Sequence, residues 1–272
     1  MAPPVAPVAR PPWAVTAAFL TFVGLLVVAP LVALVVHGVA AGPAAFAAAL
    51  QRPTAVHALL LTLGLGLLTT VINGIAGLGV AWALVRWEFP GRGLLERLVE
   101  LPLAVPTLVA GVLIVALYGP QGVFGPTLEG LGLQIVYARP ALLLALLFIT
   151  FPFGVRAVEP ALRELDPAEE QAAWTLGATR AQAFRMVTLP ALAPALAAGA
   201  VQIFARCVAE FGAVALVSGN VPGETLTATV YLLGEVEAGD TQAAAAVSLL
   251  LLGVALTLQP LSRRLAAAAG RP

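Results

Sequence analysis

The sequence predicts an all-α membrane protein with six transmembrane helices and a two-helix loop on its cytoplasmic side. Three observations predict it. Of 272 residues, 60% are hydrophobic and only 10% are charged, with a mean hydropathy of +0.98. A soluble domain carries about 25% charged residues to face water. The charges also fall between long uncharged intervals, near the ~20 apolar residues with which a helix crosses a ~30 Å hydrocarbon core. Finally, the basic residues are all Arg and are unevenly shared between alternate loops.

Residues 1–12, rich in Ala, Pro and Val with Arg10 as the one charge, read as an N-terminal cytoplasmic tail. The run from Trp13 to Val36 holds 24 residues without a charge, longer than the ~7–15-residue core of a cleaved signal peptide. It reads as the first membrane helix. A second span is expected near 57–85, inside the uncharged interval between Arg52 and Arg86, and a third near 101–118. The fourth, near 137–158, has only 16 uncharged residues between Arg139 and Arg156, so Arg139 is expected to snorkel to the interface. The fifth is placed near 192–217 and the sixth near 241–262. The membrane domain then covers 13–265 and a C-terminal tail covers 266–272.

Six spans put both termini on one side, and arginine fixes which side. With the termini inside, cytoplasmic segments hold Arg10, Arg86, Arg92, Arg97, Arg156, Arg163, Arg180, Arg185, Arg263, Arg264 and Arg271. The outer segments hold Arg52 and Arg139, while Arg206 lies within a span. This is a positive-inside distribution for an inner-membrane protein. The outer loop before the sixth span is acidic instead, with Glu224, Glu235, Glu237 and Asp240.

Several function classes fall away. There is no run of basic residues, so no nucleic-acid footprint. The glycine-rich stretch Gly74–Gly79 has no phosphate-loop lysine, and the chain has no lysine at all, so no P-loop binds ATP here. Cys207 is the single cysteine, which rules out an intrachain disulfide or a cysteine zinc cluster. His37 and His57 are isolated, and no His-Glu-x-x-His or Ser/His/Asp set supports an intramembrane enzyme. The many Pro and Gly residues in the spans, among them Pro30, Gly77, Pro102, Pro106 and Gly111, suit close packing and kinks in lipid. Asn73 reads as interhelical glue.

The longest cytoplasmic segment, within 159–190, is the most informative. Asp166-Pro167-Ala168-Glu169 is a helix start, with an N-cap, a proline at N1 and an acid at N3. That helix is expected to reach about Leu176 and stop at Gly177, which suits the C′ position. Thr179-Arg180-Ala181-Gln182 is a second capping box, opening a helix that is expected to end before Pro190. Glu169 and Glu170 read as a solvated N-terminal turn. The result is an elbow bent at Gly177, carrying a compact knob of Ala172, Ala173, Trp174 and Leu176.

Arg206 and Glu210 are four apart in the fifth span and share a helix face. They read either as a neutralised structural pair in the outer half of the bundle or as one wall of a polar path.

The stretch Gln171-Ala172-Ala173-Trp174-Thr175-Leu176-Gly177, followed by Val187, Leu189 and Pro190, resembles the EAA loop of ABC importer permeases. Gln171 stands where that family has Glu, with Glu170 adjacent. Glu88-Phe89-Pro90-Gly91-Arg92, Leu101-Pro102-Leu103-Ala104-Val105-Pro106-Thr107 and Ala209-Glu210-Phe211-Gly212-Ala213-Val214 are similar to the sulfate/molybdate branch. Ser218-Gly219-Asn220 resembles the T subunit of the sulfate/thiosulfate permeases, whose partner W subunit usually has His after that Gly. The resemblance spans roughly residues 56–262. It implies that the elbow residues Gln171, Ala172, Ala173, Gly177, Leu189 and Pro190 dock into a separate ATPase. That partner binds ATP and Mg and does the hydrolysis, and no cofactor resides in this chain. It also implies a second permease subunit, a periplasmic sulfate-binding protein that delivers the anion, and a translocation path touching Arg206, Glu210, Phe211 and Gly212. The alternative within the branch is a molybdate or tungstate permease acting as a homodimer.

Overall fold

A computed structural model describes residues 13–40 and 42–269. The expected N-terminal tail at 1–12 and residues 270–272 lie outside the described residues. Among the described residues all regular structure is helical. Five helices are long and apolar enough to cross a membrane: α1 (Trp13–Val39), α3 (Pro53–Arg86), α7 (Arg139–Glu164), α9 (Arg180–Val208) and α12 (Thr241–Ala269). Between them lie α2 (Gly42–Leu50), α4 (Arg92–Ala104), α5 (Thr107–Tyr118), α6 (Gly125–Gly130), α8 (Pro167–Thr175), α10 (Gly212–Val217) and α11 (Ala228–Glu237).

The expected third span, 101–118, is not one helix. It is the junction of α4 and α5, which meet at 111°. Pro106 has no N–H to continue the ladder, and it forces Val105 into an extended conformation (φ −86°, ψ 123°). The 12 residues of α5 give a rise of about 18 Å, short of a full crossing. The expected fifth span, 192–217, is also two pieces. Helix α9 ends at Val208, the chain turns through Ala209–Phe211, and α10 begins at Gly212. The first span runs on to Val39. The sixth runs to Ala269 with no break at the expected boundary of 265.

The second helix of the loop does not end before Pro190. Arg180 to Val208 is one rod, because a π turn at Phe184–Thr188 carries the helix into Leu189 and Pro190, with the Leu189 N–H donating to the Phe184 carbonyl. Widening to i→i−5 bonds makes room for a proline ring that would clash with an i−4 carbonyl. The same solution appears at Pro30, behind the π turn Gly24–Val28.

Helices α3 and α7 form the spine. A Cβ on Gly77 would lie 2.6 Å from the carbonyl carbon of Gly154, so the two backbones touch, as small residues permit in a bilayer. Asn73 fastens the same crossing by donating to the Leu147 carbonyl and the Thr150 hydroxyl, both at 2.9 Å. The main core forms where α3, α5, α7, α9 and α10 converge, around Leu65, Ile114, Leu146, Ile203 and Val214. A second core, with Leu84, Val99, Val158, Leu162 and Leu192, ties α3, α4, α7 and α9 at the end that carries α8, the elbow end. Helix α1 is mostly exposed, with Gly38 its one buried residue, at the place where its second half packs on Leu249 of α12.

Candidate functional site

The elbow consists of α8, the turn at Gly177 and the start of α9. Asp166 caps α8 by accepting from the Ala168 N–H at 2.9 Å. At the other end the Gly177 N–H donates to the Trp174 carbonyl and the Ala178 N–H to the Ala173 carbonyl, both at 3.0 Å. These are the two bonds of a Schellman turn. They require a left-handed residue, and Gly177 has φ +90°. Thr179 and Gln182 close the capping box that starts α9.

One side of the elbow is exposed and apolar. Trp174, Leu176 and Met186 are 43%, 89% and 75% exposed. Gln171 and Ala172 are exposed beside them, and Ala173 is half-buried. Leu189 and Pro190 lie in α9, past the π turn, and belong to the root of the elbow more than to its tip.

The other side holds a residue that the sequence reading misassigned. Glu170 is buried, not solvated. Its Oε1 accepts from the Thr188 hydroxyl at 2.6 Å and lies 3.3 Å from Arg86 Nη2 at the end of α3. Arg86 in turn lies 5.6 Å from the centre of the Trp82 ring, and Trp82 packs edge-on against Phe184 at 5.3 Å. The acid that appeared displaced by one position thus pins the elbow to α3 and to the root of α9. Only proximity in the fold reveals this, since Arg86, Glu170 and Thr188 are far apart in sequence.

The second group sits at the break between α9 and α10. Arg206 Nη2 is 2.7 Å from Glu210 Oε2, with the Glu210 side chain 1% exposed and Arg206 31% exposed. The other Glu210 oxygen accepts from the Ala213 N–H at 3.1 Å, at the positive end of α10. The pair lies close to the middle of the bundle, a little toward the end opposite the elbow. Cys207 contacts Thr150, near the middle of α7, and Phe204 and Cys207 flank Gly66, near the middle of α3. Arg206 is therefore at mid-bundle depth. Gly212 meets Thr107, the first residue of α5, so closely that no Cβ fits. The two broken helices thus abut at their N-termini. Phe211 is partly exposed at this junction.

At the opposite end Arg52, Glu235 and Asp240 form a surface cluster, with Arg52 Nη2 2.8 Å from Asp240. His37 contacts Thr241 at 3.0 Å there. The Ala243 N–H and the Arg52 guanidinium together hold the Asp240 carboxyl below the usual carboxylate range.

The chain is similar to known proteins in sequence and in fold. Residues 74–264 match the family described as "Binding-protein-dependent transport system inner membrane component". The chain is 39% identical over 239 residues to the sulfate transport system permease protein CysT of Salmonella typhimurium, covering 88% of this chain and 86% of that one. It is 38% identical to the probable sulfate transport system permease protein cysT of Nephroselmis olivacea, covering 90% and 86%. It is 36% identical to the sulfate transport system permease protein CysW of Synechococcus elongatus, covering 96% and 91%. In fold it is similar to a chain of a bacterial alginate ABC transporter, with a TM-score of 0.75 at 21% identity and coverage of 93% and 94%. It also resembles a chain of the MetNI methionine ABC transporter, with a TM-score of 0.59 at 20% identity and coverage of 80% and 97%. The chain belongs to the binding-protein-dependent transport system inner membrane components, the permease subunits of ABC importers.

Proposed function

We propose that this chain is the T-type permease subunit of an ATP-driven sulfate/thiosulfate importer in a bacterial inner membrane, with both termini and the elbow in the cytoplasm. The observation that carries the transport reading is the elbow: a rigid, doubly capped turn, apolar on its exposed face and pinned by Glu170 on the other. A rigid apolar knob of this kind suits a groove on a separate ATPase. Relatives that bear the name of sulfate permeases, aligned over most of the chain, support sulfate as cargo. The exposed face of α1 suits lipid and a second permease subunit. A periplasmic sulfate-binding protein would deliver the anion at the end opposite the elbow.

In this reading, ATP-driven closure of the ATPases swings the elbows. The push enters α9 directly, because the second arm of the elbow is the start of that rod, and enters α3 through Glu170 and Arg86. The chain itself hydrolyses nothing; ATP and Mg belong to the partner ATPase. Its own part is to turn a push at the elbow into a change at the junction of α5 and α10, where Arg206, Glu210, Phe211 and Gly212 lie.

The test is uptake of labelled sulfate by cells that depend on this chain and its partners. Sulfate accumulation that is lost on deleting the chain, and competed by thiosulfate, is the expected result. Molybdate uptake without sulfate uptake would overturn the cargo, and uptake unaffected by ATP depletion would overturn the energy source.

A further inference from the structure

We infer that a cavity between α7, α9 and α12 is a binding site for a tetrahedral oxyanion, formed by Gln202, Arg206, Gln259, Ser262 and Arg263 over a floor of Phe153. The inference rests on the importer reading above and adds to it the place in this chain where the cargo pauses.

The cavity has a volume of about 500 Å³. Its polar residues form two facing stripes at helical spacing: Gln202 and Arg206 on α9, and Gln259, Ser262 and Arg263 on α12. Gln202 and Gln259 are exposed, Gln202 six residues before the end of α9 and Gln259 one turn before Arg263 and Arg264 on α12. Amides and guanidinium groups are costly against lipid, and they face a protein interior or water. This side of the chain is therefore turned away from lipid.

Its charge balance selects the ligand. No carboxylate lines the cavity among the described residues. Glu210 does not line the cavity: one of its oxygens accepts from the Ala213 N–H at the start of α10, and the other is held by Arg206. Arg206 is paired with it through one nitrogen, and Arg263 has no carboxylate in reach among the described residues. What faces the space is the amides of Gln202 and Gln259, the Ser262 hydroxyl, the part of the Arg206 guanidinium that Glu210 leaves free, and one uncompensated charge, Arg263. The cavity between α4 and α7 provides the contrast. There Arg156 meets Glu100 and Arg163 meets Glu159, both at 2.6 Å, and the three lining arginines, these two and Arg97, face three carboxylates, Glu96, Glu100 and Glu159. Sulfate, thiosulfate and molybdate all offer acceptors to several donors at once, so the site reads the shared tetrahedral chemistry.

The experiment uses membrane vesicles carrying the whole transporter. Gln202→Cys and Gln259→Cys are made singly, and the unsubstituted chain, whose one cysteine is buried, serves as the blank. Labelling rates are measured with an anionic methanethiosulfonate and its cationic counterpart. Both cysteines should react, with the anionic reagent favoured about tenfold relative to an exposed reference cysteine. Sulfate should slow labelling where chloride of equal ionic strength does not, and adding Arg263→Gln should abolish both the preference and the protection. Absence of labelling, or labelling with neither charge preference nor oxyanion protection, overturns the site. If sulfate accumulates in vesicles yet fails to protect, the cavity proposal falls and the sulfate reading stands. If molybdate protects and sulfate does not, the cavity stands and the sulfate reading falls.

Discussion

Glu170→Ala should loosen the elbow and uncouple ATP hydrolysis from transport. The Thr188 hydroxyl donates to this carboxylate at 2.6 Å, and hydrogen bonds to charged groups contribute about 1.5–3 kcal/mol. Breaking a buried ion pair by removing one partner costs about 3–5 kcal/mol. Here the Arg86 contact is long, at 3.3 Å, and the side chains keep 17% and 11% exposure, so its share lies well below that range. A total of about 2–4 kcal/mol follows, and because all three groups lie at the elbow end, the loss is local. It raises the open population of the elbow about 30-fold or more, at tenfold per 1.4 kcal/mol. Tryptic cleavage at the exposed Arg180 and Arg185 of vesicle-embedded transporter reads that opening directly, and the ratio of ATP hydrolysed to sulfate imported reads the coupling. Both should rise in Glu170→Ala and rise less in Glu170→Gln. Gln171→Glu, which restores the family's acid on the exposed face, should change neither. If Glu170→Ala is cleaved no faster than Gln171→Ala, the pin to α3 has no mechanical role.

Gly177→Val should abolish sulfate-dependent growth while leaving the chain in the membrane, since φ +90° is closed to a β-branched residue; normal uptake by the variant would refute the elbow's role. For Arg206 and Glu210, each alanine variant should lower labelled sulfate uptake at equal membrane level, and the double variant should recover part of the loss because no lone charge remains at mid-bundle. Arg206→Ala should be the worse single variant, because it removes a donor from the cavity as well as leaving Glu210 unpaired; strictly additive losses would argue against direct pairing. Finally, Asp240 has a lowered folded pKa. Its contribution is therefore fully present above the unfolded value of about 3.9 and is lost as pH falls through the lower folded value. Thermal unfolding of the detergent-solubilised chain should drop in temperature below about pH 4, and Asp240→Asn should flatten that acid limb; an unchanged acid limb would remove this cluster from the stability of the fold.

How much of this was legible in the sequence depends on the range of the interaction involved. Asp166, Gly177, Thr179 and Gln182 act within one helical turn, and their identities state their backbone roles. Arginine spacing marked the long helices, because a charge in hydrocarbon is costly wherever it falls. The two broken helices were misread as unbroken ones because hydropathy records composition and not direction. Leu101 to Tyr118 is apolar enough to cross, yet Pro106 bends it by 111°. The proline signal was present and was read as a kink. Pro190 misled in the opposite sense, because a π turn lets the helix pass where an α-helix would stop. Glu170 was lost for a third reason. A buried acid and a solvated one look alike until Arg86 and Thr188 are brought to it by folding.

These three misreadings are physically connected. An elbow that ended before Pro190 would be a separate hinge, and its swing would dissipate in the joint. As built, α9 is 29 residues long from Arg180 to Val208, about 43 Å at 1.5 Å per residue, with the elbow at one end and Arg206 near the other. In the proposed mechanism a push on Trp174 and Leu176 crosses the Gly177 turn and then reaches the Arg206–Glu210 pair along one continuous helix. Glu170 couples that rod to α3, so the two helices share the load at the elbow end. At the other end of α9 the chain breaks, and Glu210 fastens the start of α10 against α5. A rigid lever ending at a broken segment concentrates displacement at the break. On the proposals above, the largest change falls at the junction of α5 and α10, beside the Arg206 end of the cavity, so that what the elbow would move is the donor set facing the anion.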